Sequence, residues 1–118
     1  MTEVYAVCDP KPGDILRINA GAYFHYGIYV GDDKVVEFGS AADPKSNREN
    51  VRVQLVSIDE FMMTGGFLEV RKLSLAEKLK KRSDKEIVRI ALSRLGEGGY
   101  DLFKNNCKQF CESCVFKK

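Results

Sequence analysis

Tyr23-Phe24-His25-Tyr26-Gly27-Ile28-Tyr29-Val30, then Gly31-Asp32-Asp33, then Lys34-Val35-Val36-Glu37-Phe38: this stretch decides the fold. Two runs of aromatic and β-branched residues flank a short Gly/Asp cluster, the pattern of a β-hairpin. Upstream, Lys11-Pro12-Gly13-Asp14 is a turn signal, residues 15–18 form a short strand, and Asn19-Ala20-Gly21-Ala22 is a loop. Downstream, the polar stretch 39–50 is a surface loop, and 51–56 alternates apolar and polar residues as a half-buried strand does. Ser57 caps a short helical turn, with Glu60 at capping-box spacing. Thr64-Gly65-Gly66 breaks that turn, and 67–71 is a further strand.

The character changes in the second half. Residues 72–82 are basic and read as a solvated connector or exposed helix. Ser83 and Glu86 have capping-box spacing, Ile87, Ile90, Ala91 and Leu95 share one helical face, and Gly96 stands at the expected C′ position. Asn105 or Asn106 caps a last helix carrying Cys107, Phe110, Cys111, Cys114 and Val115 at helical spacing. Strands followed by helices predict an α+β fold, a small antiparallel sheet packed against helices, in one domain over 1–118.

Composition narrows the function. The chain has 118 residues, of which 44% are hydrophobic and 31% charged, which is ordinary for a globular domain. Its net charge of +2 is too near balance to suggest a nucleic-acid surface. No apolar run approaches a membrane span, and the first ten residues lack a signal-peptide core. Free thiols in a reducing, cytoplasmic setting are therefore expected for the four cysteines.

Cys107 is the leading chemical candidate. At the start of a helix its thiol meets unpaired N–H groups and the positive dipole end, which favour thiolate and can also hold an oxyanion. The competing reading is a buried cysteine acting as a small hydrophobe. His25 is the single histidine and so the one available imidazole base. Strand alternation puts His25, Gly27 and Tyr29 on one face. With a three-residue loop, Gly31-Asp32-Asp33, Gly27 pairs with Glu37, so His25 and Glu37 lie diagonally across an empty space over Gly27. A two-residue loop pairs Ile28 with Glu37 and sends Glu37 to the other face. A third polar group beside His25 thus calls for an odd loop.

Cys107, Cys111 and Cys114 have the spacing of a radical iron–sulfur motif, but the chain is too short for the barrel that carries it, and the spacing falls on an amphipathic helix. A zinc site is weakly supported, with no second CxxC pair and no second histidine. No cofactor or metal is expected. Lys78, Lys80, Lys81 and Arg82 form a solvated basic face, with contact to anionic lipid headgroups as the alternative.

Asp9-Pro10-Lys11-Pro12-Gly13-Asp14, His25-Tyr26-Gly27-Ile28-Tyr29-Val30-Gly31-Asp32 and Asn106-Cys107-Lys108-Gln109-Phe110 resemble the lecithin:retinol acyltransferase-like, or H-box/NC, family. That family is a circularly permuted branch of the NlpC-type, papain-like cysteine hydrolases. The resemblance implies Cys107 as nucleophile, His25 as its base, and a thioester intermediate. Glu37 stands where many members carry a second histidine, and Asn-Cys-Lys-Gln-Phe replaces the usual Asn-Cys-Glu-His-Phe. Glu37 is expected to accept the Nδ1–H of His25 and to favour a thiolate–imidazolium pair. The implied substrates are acyl-bearing lipids, esters or amides. Cell-wall-type peptides are the second class, and a non-catalytic binding module is the third reading.

Overall fold

A computed structural model of the chain describes residues 3–21, 23–40, 48–62, 66–101 and 104–117. The predicted hairpin is its centre. Strand β3, Phe24–Gly31, pairs antiparallel with β4, Lys34–Phe38. Asp32 and Asp33 join them at φ 53° and 58°, the two successive left-handed residues of a type I′ turn. The loop is therefore two residues long, not three as expected. Gly31 faces Lys34, yet Tyr29 faces Val35 and Gly27 faces Glu37, because the register shifts between Tyr29 and Gly31. Val30 is the extra residue of a β-bulge. The bulge supplies the one-residue offset that the odd loop was expected to supply, and Glu37 reaches the predicted face by a different route.

Neighbouring backbone holds the bulge. Pro12 and Gly13 form a turn with Gly13 at φ 97°, and the Gly13 N–H donates to the Tyr29 carbonyl at 2.8 Å. The Tyr29 N–H donates to the Asp14 carbonyl at 3.0 Å. Beyond this hairpin lie β1 (Val4–Ala6), β2 (Ile15–Asn19), β5 (Val53–Ser57) and β6 (Glu69–Lys72). The six strands make one antiparallel sheet in the order β1-β6-β2-β3-β4-β5. The expected strands at 51–56 and 67–71 form shifted by one to two residues, and β1 was not foreseen. Most of the loop expected at 39–50 lies outside the described residues, as do Ala22, Thr64 and Gly65; Arg48–Asn50 form a 3₁₀ turn.

Four helices complete the α+β fold: α1 (Ile58–Phe61), α2 (Leu75–Lys80), α3 (Asp84–Ser93) and α4 (Cys107–Val115). Ser57 and Glu60 close a reciprocal capping box on α1, as their spacing predicts, and Ser74 and Glu77 do the same on α2. On α3 the Ser83 side chain accepts from the Glu86 N–H. That helix ends at Ser93 with Arg94 as its C-cap, so Gly96 lies one position beyond the expected C′ and Leu95 is exposed. Gly96 instead donates its N–H to the Val53 carbonyl, tying the end of the helix to β5.

Both faces of the sheet are covered. Ile15, Tyr26, Ile28, Val36, Phe38 and Val53 pack on Ile87 and Ala91 of α3 and on Phe110, Cys111, Cys114 and Val115 of α4. Leu16, Ile18, Val35, Val56 and Val70 pack on Phe61 of α1 at the opposite face. Strand alternation divides these sets, so the central strands read as almost continuous apolar runs. Full burial of such aliphatic and aromatic side chains contributes about 1.5–3 kcal/mol each.

Candidate active site

Asn106 is the cap of α4. Its side chain accepts from the Gln109 N–H, and Gln109 accepts from the Asn106 N–H, each at 3.0 Å. The local sequence thus starts the helix at Cys107 and puts that thiol in its first turn. Cys107 is 7% exposed and belongs to the core cluster formed with the sheet and α3.

His25 is the second residue of β3 and 3% exposed. Its ring meets Phe61 on one side of the sheet, with centroids 5.2 Å apart, and Cys107 is near enough to act on its proton. Its Nε2 lies 2.8 Å from Glu37 Oε1. The carboxylate therefore meets Nε2, not the expected Nδ1. The second carboxylate oxygen, Oε2, accepts from Gln54 Nε2 at 2.5 Å. Gln54 faces Glu37 across the β4–β5 ladder. His25, Glu37 and Gln54 form one hydrogen-bonded line across three adjacent strands.

Electrostatics follow from this geometry. Burial by itself lowers the His25 pKa. Interaction with Cys107 and Glu37, whose charges when ionised favour the imidazolium, outweighs it and raises the value to about 9. The imidazolium is thus the favoured form of the ring at neutral pH. Cys111 and Cys114 lie on the same helix, and burial pushes both thiols up, Cys111 strongly. A thiol so shielded is a poor nucleophile.

The space over Gly27 is occupied, contrary to the expectation. A Cβ there would come within 2.5 Å of Val35 Cγ1 and 2.8 Å of Phe61 Cε1. Phe61 fills this gap and meets the imidazole with the same ring. Three residues of the site were missed from sequence: Phe61, Gln54 and Tyr23. Tyr23 precedes His25 by two and shares its strand face. It is 40% exposed, and its hydroxyl pKa is raised by burial first and then by the charges of Cys107 and Glu37, which places the ring beside both. The signal for Tyr23 and Gln54 was available as strand periodicity around His25 and Glu37. Phe61 carried none, because its contact depends on how α1 folds back over the sheet. Among the described residues, no cluster of histidine, cysteine and carboxylate groups is arranged to hold a metal ion.

The family model described as Lecithin retinol acyltransferase matches residues 8–118, and the chain belongs to that family. It is 28% identical to rat Lecithin retinol acyltransferase over 123 residues, covering 88% of this chain and 53% of that protein. Against the human protein of the same name, identity is again 28%, over 88% of this chain and 54% of the relative. Human Phospholipase A and acyltransferase 1 is 28% identical over 86% of this chain and 65% of its own length. The chain thus spans about half to two-thirds of the curated relatives it matches.

Proposed function

We propose that this chain is a cysteine-dependent acyl hydrolase or acyltransferase acting on lipid esters or amides. The observation that carries the proposal is the buried imidazole of His25, held at Nε2 by Glu37 and electrostatically coupled to Cys107 at the start of α4. In this mechanism His25 holds the Cys107 proton as the imidazolium while Sγ attacks the acyl carbonyl carbon. The tetrahedral oxyanion draws on the N–H groups at the start of α4 and on the Tyr23 hydroxyl. Collapse breaks the bond to the leaving oxygen or nitrogen, which takes the proton from His25, and leaves a Cys107 thioester. Water then attacks the thioester and releases the acid, or an acceptor hydroxyl or amine takes the acyl group; His25 accepts the proton of the attacking group, and Cys107 leaves. Glu37 holds the ring orientation and stabilises the imidazolium throughout.

The lipid class rests on the relatives' names. The free thiols of Cys8, Cys107, Cys111 and Cys114 suit a reducing compartment, and we place the protein in the cytoplasm on that ground. The test is intact mass after incubation with mixed phospholipids and, separately, with peptidoglycan fragments. A fatty-acyl mass increase on the wild-type protein, absent from Cys107→Ala, is the expected result. An adduct from the peptide fragments alone would move the substrate to the peptidase class. Undiminished turnover by Cys107→Ala would remove the mechanism.

A further inference from the structure

Helix α2 is built inside out. It has no buried residue, and Leu75 and Leu79 are 77% and 78% exposed. At about 100° per residue, both leucines lie roughly 160° around the helix from Glu77. Glu77 is the side that faces the protein: its carboxylate hydrogen-bonds Arg71, which lines the sheet with a side chain only 4% exposed. Arg71 also binds Glu112 of α4 at 2.8 Å, so one buried guanidinium fastens α2 and α4 to β6. The charged face of α2 is thereby pinned inward and its apolar face directed to solvent, the reverse of an ordinary surface helix.

The rim of that face is cationic. Lys78 and Lys80 flank the two leucines on opposite sides, and Lys72 precedes the helix; all three are exposed. Among the described residues none of the three has an ion-pair partner, whereas nearby Lys81 and Arg82 are committed to Asp84 and Glu86. A cavity of about 580 Å³ opens beside the helix; Lys72, Lys78 and Lys81 line it together with Asp9, Asp14 and Asp84, so the cationic character belongs to the helix rim and not to the cavity floor. A second copy of the chain docked on this face would bring like charges together. An occupant of opposite charge with an apolar interior is required.

We infer that α2 is an interfacial anchor whose partner is an anionic lipid bilayer, with Leu75 and Leu79 entering the acyl boundary while Lys72, Lys78 and Lys80 meet the headgroups. Among the described residues no helix is long and apolar enough to cross a membrane, so the anchor lies on the surface. Lys81 and Phe116 are bridged, which sets α2 beside the C-terminal end of α4. Cys107 begins that helix about 13 Å away along its axis. The anchor is therefore separate from the thiol chemistry and does not depend on it.

The experiment is sedimentation of the Cys107→Ala protein with phosphatidylcholine vesicles, with and without phosphatidylserine. Binding is expected only with phosphatidylserine and is expected to weaken with added salt. Leu75→Ser with Leu79→Ser, and independently Lys78→Glu with Lys80→Glu, should each reduce the bound fraction about tenfold without changing the thermal melt. The same pairs placed in the otherwise wild-type protein should leave turnover of a short-chain soluble ester unchanged. Equal binding by wild type and both variants overturns the proposal, as does no binding to anionic vesicles. A concentration-dependent dimer lost in the leucine variant would assign the face to a second copy and also overturn it.

Discussion

Glu37 faces Gly27 directly across the β3–β4 ladder, although only Asp32 and Asp33 join the two strands. The bulge at Val30 creates that pairing, and it puts the carboxylate within 2.8 Å of the imidazole two residues away along β3. The glycine opposite is needed for a second reason. Phe61 reaches down to the backbone at Gly27 and from there supports the His25 ring.

Gly27→Ala should therefore damage both packing and the site. The added methyl group meets Val35 Cγ1, Phe61 Cε1 and, at 3.2 Å, the backbone carbonyl of Val36, and the carbonyl cannot swing away. Overpacking of this kind costs about 1–3 kcal/mol. Chemical denaturation gives the stability loss. The tilted His25–Phe61 contact should be lost with it, seen as a changed ring-current shift on the imidazole protons. A variant as stable as wild type, with those protons unmoved, would show that Phe61 does not depend on the glycine.

The state of His25 links stability to pH. Its pKa rises from 6.5 to about 9 on folding, so the folded protein holds the proton more tightly than the unfolded chain. The resulting stabilisation is complete below pH 6.5 and is lost as the pH climbs through 9. The urea midpoint should fall across that window. Glu37→Gln keeps an acceptor but removes the charge, and should shift the NMR titration of His25 down toward 6.5 and flatten the fall. An unmoved titration would mean that the carboxylate does not hold the proton.

Gln54 is tested by truncation. Gln54→Ala removes the donor to Glu37 Oε2, and Glu37 is only 2% exposed. A buried oxygen left without its partner costs about 1–3 kcal/mol. The expected outcome is a lower melting temperature together with a displaced His25 titration. Gln54→Glu should be worse, since it sets two carboxyl groups against each other. A melt and a titration both equal to wild type would show that Gln54 is not part of the line.

Thiol labelling should sort the cysteines. Cys8 is exposed, and Cys107 is the thiol beside the imidazole. Burial raises Cys111 and Cys114 and also hides them. Limited iodoacetamide treatment of the native protein at neutral pH, followed by peptide mapping, should mark Cys8 and Cys107 and spare the other two. Cys111→Ala and Cys114→Ala should each lower stability by about 1–2 kcal/mol and leave the labelling of Cys107 intact. Prominent modification of Cys111 would contradict the packing described for α4.

The elements legible in sequence were those specified by local chemistry. The capping residues Ser57, Ser83 and Asn106, the Pro12-Gly13 turn and the alternating hairpin strands are decided within a few residues of each other, and each forms near its expected place. His25 and Glu37 come together as their pattern implies. What could not be read was how parity is achieved. A bulge at Val30 has no side-chain signature, and its support from Gly13 and Asp14 arrives from a distant turn. The Nε2 contact also escaped, because nothing in strand spacing decides which edge of an imidazole turns toward a neighbour. The burial of Cys107 and the ring of Phe61 over Gly27 depend on how whole layers settle, which no short window encodes.

The type I′ turn and its bulge have a consequence for how this protein can change over generations. Side-chain period in a strand is two, so adding or deleting one residue between Gly31 and Lys34, with the bulge kept, would turn every residue of β4 over. Glu37 would leave His25, while Val35 and Val36 would exchange layers. Length variation at this hairpin is therefore restricted to even steps, or to odd steps that gain or lose the bulge at the same time. Substitutions within the turn face a different filter, set by the left-handed backbone at Asp32 and Asp33. A tip that looks like a free surface loop is, for inheritance, a counting constraint on the chemistry at the far end of the strands.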